Sequence, residues 1–321
     1  MAGAAMAPVA GALPETLASA AERAAEYARR ARAEATVRAY HTDWAHFAGW
    51  CEVAGLQALP AEETTVALYL AEAAETHSTA TLQRRLSSIA QVHRAAGYPS
   101  PTQGRVSLVW SGIRRTKGTA QHGKAPVRTN DLRRMVEGCA QDLAGVRDRA
   151  LLLVGFAGAF RRSELVGLDV ADLSFGGDGL TVTIRRSKTD QEGAGQKVGI
   201  PFGSRPATCP VRALRGWLEA AGITEGPVFR AVDRWGHVRP ARLTDRAVAL
   251  VVKARAEAAG LDPTQYAGHS LRSGLATAAA EAGVSERVIM AQTRHKSVPM
   301  VRRYIREGSL FRENAAAGVG L

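Results

Sequence analysis

Residues 268–305 read GHSLRSGLATAAAEAGVSERVIMAQTRHKSVPMVRRYI, and the rest of the chain is organised around them. His269 and Arg272 stand three residues apart, so both lie on one face of a helix, just past Gly268 and near the helix N-terminus. Backbone N–H groups and the helix dipole favour an anion at that place. His295 opens a second basic site, and Tyr304 follows nine residues later in a short helix that Ser297 can cap. Two histidines, a run of arginines and one tyrosine suit a phosphodiester held by cations while a phenol attacks it.

Composition points the same way. The chain has 321 residues, enough for two domains with a core each. Lysine and arginine total 42 against 30 acidic residues, a net charge of +12, and most of the excess falls after residue 125. Such a balance favours a polyanionic partner. No apolar run approaches the length of a membrane span, and the N-terminus has no signal-peptide pattern, so nucleic acid is preferred over a membrane. Cys51, Cys139 and Cys209 are far apart and lack C-x-x-C spacing. Buried free thiols in a reducing cytoplasm are expected, with neither zinc nor disulfides.

In chain order, residues 1–14 are rich in Ala, Gly and Pro and are expected to be disordered. A helix is expected from about Pro14. Val37, Tyr40, Trp44, Phe47 and Cys51 recur at helical spacing, with Gly55 closing that helix. Its aromatics read as core packing rather than base stacking. Pro60 opens a short helix through Tyr69 and Leu70. Ser78 or Thr79 caps the next, whose apolar set is Leu82, Leu86, Ile89 and Val92. Its other face, Gln83, Arg84, Arg85, Ser87 and His93, suits phosphates and groove edges, with a merely solvated face as the competing reading. A further helix from Val106 ends in Arg114, Arg115 and Lys117. The segment KGTAQHGKAP, residues 117–126, has no apolar periodicity and reads as a linker.

Beyond it, Thr129 or Asn130 caps a helix through Met135, and Val146 to Phe160 forms an apolar one. Val182 and Ile184 alternate with threonines as in a strand, and QKVGIPF follows as the partner of a hairpin. Cys209-Pro210 starts a helix through Trp217, VFRAVDRWGHVRP reads as irregular and turn-rich, and Thr244 caps a long helix from Asp245 to Ala259. No carboxylate cluster suited to Mg²⁺ is evident, so neither metal nor ATP nor any other cofactor is expected.

The H-x-x-R of His269 and Arg272, the later His295 and Tyr304, in this order and spacing, resemble the C-terminal signature of the tyrosine recombinases, the Cre, Xer and phage integrase family. AFRRSELVGLDVADL, residues 159–173, resembles that family's first box, in which an Arg stands two positions before Ser-Glu-Leu. The match puts Arg161 at the catalytic position, with Arg162 as the rival one residue away, and Glu164 at the acidic site that orients its neighbours. It places Lys188, on the expected hairpin turn, where the family carries its catalytic lysine. Taken alone, Lys188 is one exposed lysine among many.

The resemblance implies a mainly α fold with a small antiparallel β-sheet. An all-helical, SAM-like core-binding domain (15–116) and a mixed α/β catalytic domain (127–306) would form a C-shaped clamp on DNA. Residues 307–321, with Leu310 and Phe311, form a tail expected to dock in trans. Site-specific recombination through a 3′-phosphotyrosine follows, with Arg161, Arg272, His269 and His295 on the phosphate. Lys188 would protonate the leaving 5′-oxygen and Tyr304 would be the nucleophile. Arg84, Arg85, Arg114, Arg115 and Lys117 are the expected DNA contacts. Double-stranded DNA is the implied partner, bound by a homotetramer on two sites, a dimer on each, in the cytoplasm at the nucleoid. A type IB topoisomerase and a silent DNA-binding protein are the alternatives.

Overall fold

The computed structural model describes residues 15–30, 33–119, 123–185, 195–295, 297–299, 301, 302 and 304. Two compact units meet between His122 and Gly123. The expected N-terminal disorder, Lys188 and the tail 307–321 lie outside the described residues.

The first unit consists of helices α1 (Glu15–Arg30), α2 (Glu34–Ala54), α3 (Glu63–Thr76), α4 (Thr79–Ala95) and α5 (Gly104–Lys117). Gly55 ends α2 in the left-handed conformation at φ 68, where a side chain is disfavoured. Ser78 caps α4 by accepting from the Thr81 N–H. Phe47, Cys51, Val66, Tyr69, Leu70, Leu82, Ile89 and Val106 form the core, with Trp44 and Trp50 packed against it. Val37, by contrast, is exposed. Helix α3 begins at Glu63, three residues beyond Pro60.

The expected DNA face of α4 needs correction at two positions. Arg85 and His93 are buried. Arg85 stands three residues after Leu82 and four before Ile89, and His93 four after Ile89, so helical spacing turns both inward. Arg85 lies 3.9 Å from Asp43 and 5.9 Å from the centre of the Tyr69 ring, and it hydrogen-bonds His77. His93 Nε2 accepts from the Ala61 N–H. Arg84, on the outer face, is half exposed and holds Asp43 with two hydrogen bonds of 2.6 and 3.0 Å. Arg114 and Arg115 are exposed. Lys117 is the last residue of α5, and its ammonium donates to the Ala74 carbonyl.

The second unit opens with an irregular segment already docked by backbone hydrogen bonds, so the expected linker loses its C-terminal part as well as Lys117. Ala125 and Val127 donate to the carbonyls of Gln265 and Ser270. Helices α6 (Thr129–Glu137) and α7 (Leu143–Ala157) follow, then a short α8 (Arg162–Gly167). Arg128, whose side chain makes no capping hydrogen bond, occupies the cap of α6 instead of Thr129 or Asn130. Asp142 caps α7 by accepting from the Gly145 N–H at 2.7 Å. That helix stops three residues before Phe160, because Ala159 takes a left-handed φ of 46.

Strands β1 (Leu173–Phe175), β2 (Gly179–Ile184) and β3 (Gln196–Pro201) form an antiparallel sheet in the order β1-β2-β3. Val182 pairs with Val198 and Leu180 with Ile200, and their buried side chains face the core. β1 is an addition to the expected hairpin. Helix α9 (Pro210–Ala220) starts at the expected Cys209 cap and buries Trp217, whose Nε1 donates to the Val228 carbonyl. The segment expected to be irregular holds a second hairpin, β4 (Arg230–Val232) with β5 (Val238–Arg242). Its turn is tied by Asp233, which accepts from the N–H groups of Trp235 and His237, and that side-chain contact leaves no trace in hydrophobic periodicity.

Helix α10 (Asp245–Ala258) has the expected Thr244 cap. Helices α11 (Ser270–Glu281) and α12 (Glu286–Thr293) complete the unit. Gly274 allows α11 to lie against the entering segment: a Cβ there would stand 2.2 Å from the Val127 carbonyl oxygen. The three cysteines are buried free thiols. Among the described residues, no helix is long and apolar enough to cross a membrane.

Candidate active site

Four pieces of chain converge in the second unit: the turn Gly158–Phe160 after α7, the start of α8, the start of α11, and the residues that follow α12. Arg161 is the N-cap of α8. Its N–H donates to Glu164 Oε2 at 2.9 Å and its guanidinium to Oε1 at 2.5 Å. Arg162 points elsewhere, 44% exposed and 3.8 Å from Asp245. The structure therefore separates two residues that sequence alone left in competition.

Glu164 is buried and accepts from Arg294 as well, at 2.9 Å. Burial by itself would raise its carboxyl pKa, but the Arg161 N–H and the charges of Arg294 and Arg161 hold it below the usual range. It remains an anion.

Arg272 is 1% exposed. Its Nη1 donates to the Ala159 carbonyl at 2.7 Å, whereas its Nε and Nη2 are buried with no hydrogen-bond partner. Burial first, then the cations Arg161 and Arg294, push its pKa down to about 9. A buried guanidinium facing other guanidiniums is costly unless an anion joins them. The site asks for one.

His269 is the N-cap residue of α11, and its Nε2 lies 3.0 Å from the Tyr304 hydroxyl. Tyr304 is half-buried, because its ring packs on a small apolar cluster of Ala276, Ala280, Ile289 and Val301. Residues 298, 299, 301, 302 and 304 are helical, and their turn brings the phenol back over α11. The His295 ring centre is 5.8 Å from that of Tyr304.

His295 is itself buried. Thr293 donates its hydroxyl to the Ile289 carbonyl, so its oxygen accepts from His295 Nδ1 at 2.7 Å. Burial, followed by Arg272, Arg161, His269 and Arg294, pushes the His295 pKa down to about 4. A neutral ring protonated on Nδ1 offers a lone pair on Nε2. Donation from Nε2 requires the second proton, which a bound anion would favour.

The structure thus brings together Arg161, Glu164, His269, Arg272, His295 and Tyr304. Arg84, Arg85, Arg114, Arg115 and Lys117 belong to the first unit. Arg294 and the carbonyls of Gly158 and Ala159 were not foreseen. Arg294 adjoins His295 in sequence, and that adjacency was the one available sign.

The sequence pattern of the Phage integrase family matches residues 126–309. The chain belongs to this family. The pattern of the phage integrase N-terminal SAM-like domain matches residues 26–97. Among curated relatives, the integrase/recombinase xerD homolog of Selenomonas ruminantium is 42% identical, covering 89% of this chain and 85% of its own. Recombinase cre of Escherichia phage P1 is 27% identical, covering 81% and 80%. Among solved structures, XerH site-specific recombinase bound to palindromic difH substrate has a TM-score of 0.66 at 16% identity, covering 94% of this chain and 84% of that one. A lambda integrase dimer bound to a COC′ core site gives 0.60 at 17%, covering 94% and 97%. At these identities the structures speak for the fold, which is that of the tyrosine recombinases.

Proposed function

We propose that this tyrosine recombinase cuts and rejoins double-stranded DNA at two short core sites through a 3′-phosphotyrosine. The observation that carries the reading is the Tyr304 hydroxyl 3.0 Å from His269 Nε2, in the same site as Arg272 with two buried, unpartnered N–H groups.

In this reading Arg161 and Arg272 bind the non-bridging oxygens of the scissile phosphate and stabilise the charge of the pentacoordinate transition state. Glu164 keeps Arg161 in place. His269 accepts the phenol proton as Tyr304 attacks phosphorus, a P–O bond to tyrosine forms, and the bond to the 5′-oxygen breaks. Lys188 delivers a proton to that oxygen. His295 supports the phosphate once its ring is doubly protonated. The reverse sequence, with a 5′-hydroxyl from a second duplex, rejoins the exchanged strand. Conservation of the phosphodiester energy in the tyrosyl linkage removes the need for ATP.

Residues 15–116 would serve as the core-binding domain and 127–306 as the catalytic domain. Arg84, Arg114, Arg115 and Lys117 would contact DNA phosphates, with Arg85 serving the interior of the bundle. The working assembly would be a homotetramer on two sites. A duplex with a nick near the cleavage point traps the covalent adduct, which is read by denaturing electrophoresis. Adduct formation with wild-type protein and none with Tyr304→Phe is the expected result. Adduct surviving that substitution would identify another nucleophile. Relaxation of supercoiled plasmid lacking any core site would favour a topoisomerase instead.

A further inference from the structure

Among the described residues, two non-glycine residues have positive φ: Ala159 at 46 and Arg294 at 56. The left-handed region crowds the Cβ of any L residue. Such outliers persist where surrounding contacts hold them, and they cluster at functional sites. These two touch. Arg294 Nη2 donates to the Ala159 carbonyl at 2.9 Å, and Nη1 donates to the carbonyls of Gly158 and Gln292 at 2.9 Å each.

Arg294 occupies the C-cap of α12, the place where a helix most readily accepts glycine. Its side chain is 6% exposed, and its guanidinium lies 5.3 Å from the centre of the Phe160 ring. Two of the three carbonyls it holds, those of Gly158 and Ala159, belong to the turn that leads directly into Arg161. The Ala159 carbonyl is also the acceptor for Arg272 Nη1, at 2.7 Å. Arg294 Nη2 reaches Glu164 Oε2 at 2.9 Å, the carboxylate that fixes Arg161 through its other oxygen.

From this convergence we propose that Arg294 is a positioning residue: it locks the Gly158–Phe160 turn and the Glu164 carboxylate so that Arg161 and Arg272 present their free donors to one phosphate. The inference rests on the recombinase reading above and deepens it. A lysine has no planar fork and cannot span two carbonyls and a carboxylate in one plane. A glycine would relax the backbone of α12 but leave the turn untied. The left-handed arginine is retained because the tether requires both its charge and its fork.

The charge has a second effect. His295 is faced by Arg272, Arg161, His269 and Arg294, with the Tyr304 ring beside it and Thr293 on its Nδ1. Removing Arg294 deletes one of three neighbouring guanidiniums, so the imidazole should protonate at higher pH.

The test compares wild-type, Arg294→Gly and Arg294→Lys proteins on the nicked duplex, in single turnover at saturating protein. Half-site affinity, the pH profile of cleavage and circular dichroism are measured alongside. Arg294→Gly should cleave about 10- to 100-fold more slowly, the range for removing a group that orients a primary ligand. Its affinity should stay within about threefold, since phosphate contacts elsewhere are intact. The alkaline limb of its pH profile, along which His295 loses its second proton, should move to higher pH. Arg294→Lys should keep the wild-type limb yet recover only part of the rate. Wild-type rate and an unmoved limb in Arg294→Gly would overturn the proposal. If that variant is recovered unfolded, wild-type cleavage by Arg294→Lys would overturn it equally. Proportional loss of folded protein and affinity, with an unchanged profile per folded molecule, would make Arg294 merely structural. Absence of any adduct with wild-type protein would instead refute the recombinase reading.

Discussion

Two clusters of arginine lie side by side in the second unit, and they are built to opposite rules. In the first, Arg185 binds Asp172 through Nε and Nη2 at 2.6 and 2.8 Å, and Asp169 through Nη2 at 2.8 Å. Arg242 binds Asp169 at 2.6 Å and donates to the carbonyls of Val166 and Leu168. Two cations meet two carboxylates, and the network ties β2 and β5 to the end of α8. In the second cluster, Glu164 is the one carboxylate among the described residues that pairs with Arg161 and Arg294, and its charge also acts on Arg272. A balanced network holds a fold together. An unbalanced one, more deeply buried and with unpartnered donors, is completed by a ligand of opposite charge.

The largest effects should fall on the unbalanced side. Tyr304→Phe should abolish the covalent adduct while duplex affinity stays near wild type, measured by gel shift at matched salt. Arg272→Ala should slow adduct formation by about 100- to 1,000-fold, as expected for losing one preorganised donor to the transition state. Asp172→Ala, in the balanced network, should leave the cleavage rate of folded protein unchanged. A large rate loss in Asp172→Ala would break the contrast between the clusters.

Acid should expose the imbalance next. The folded pKa of His295, about 4, lies below the ordinary imidazole value of 6.5. The unfolded chain therefore takes up this proton first, and stability is lost as pH falls from about 6.5 towards 4. The difference is at most about 3 kcal/mol. Urea unfolding at pH 7 and pH 4.5 should show a smaller loss in His295→Gln than in wild type. An equal loss in both would mean that neither burial nor the neighbouring cations keep this ring from taking up its second proton.

The balanced network should show itself in stability. Asp172→Ala removes a buried carboxylate and should cost about 1–3 kcal/mol, towards the lower end because Arg185 is more than half exposed and returns to water. Calorimetry would read this as a drop of a few degrees in Tm. The smallest effect sharpens the comparison directly. Inorganic phosphate at ten times its dissociation constant should stabilise wild-type protein by about 1.4 kcal/mol. Arg272→Ala should lose that gain and Asp172→Ala should keep it. Stabilisation that survives in Arg272→Ala would place the anion elsewhere.

Sequence by itself determined the order of the helices, the strand pattern of β2 and β3, and the residue types of the site. Helical and strand periods are local, and caps such as Ser78 and Thr244 act within a few residues of their side chains. The pairs His269–Arg272 and His295–Tyr304 were legible for the same reason, being three and nine residues apart. Tertiary structure alone decided what long-range packing decides. It turned Arg85 into the first core and pointed Arg161, rather than Arg162, at Glu164. It also paired Arg185 with Asp169 and Asp172, and brought the left-handed Arg294 onto the left-handed Ala159, 135 residues apart in sequence. Charge balance is a property of such encounters, because the cost of a buried cation depends on which groups the fold places around it.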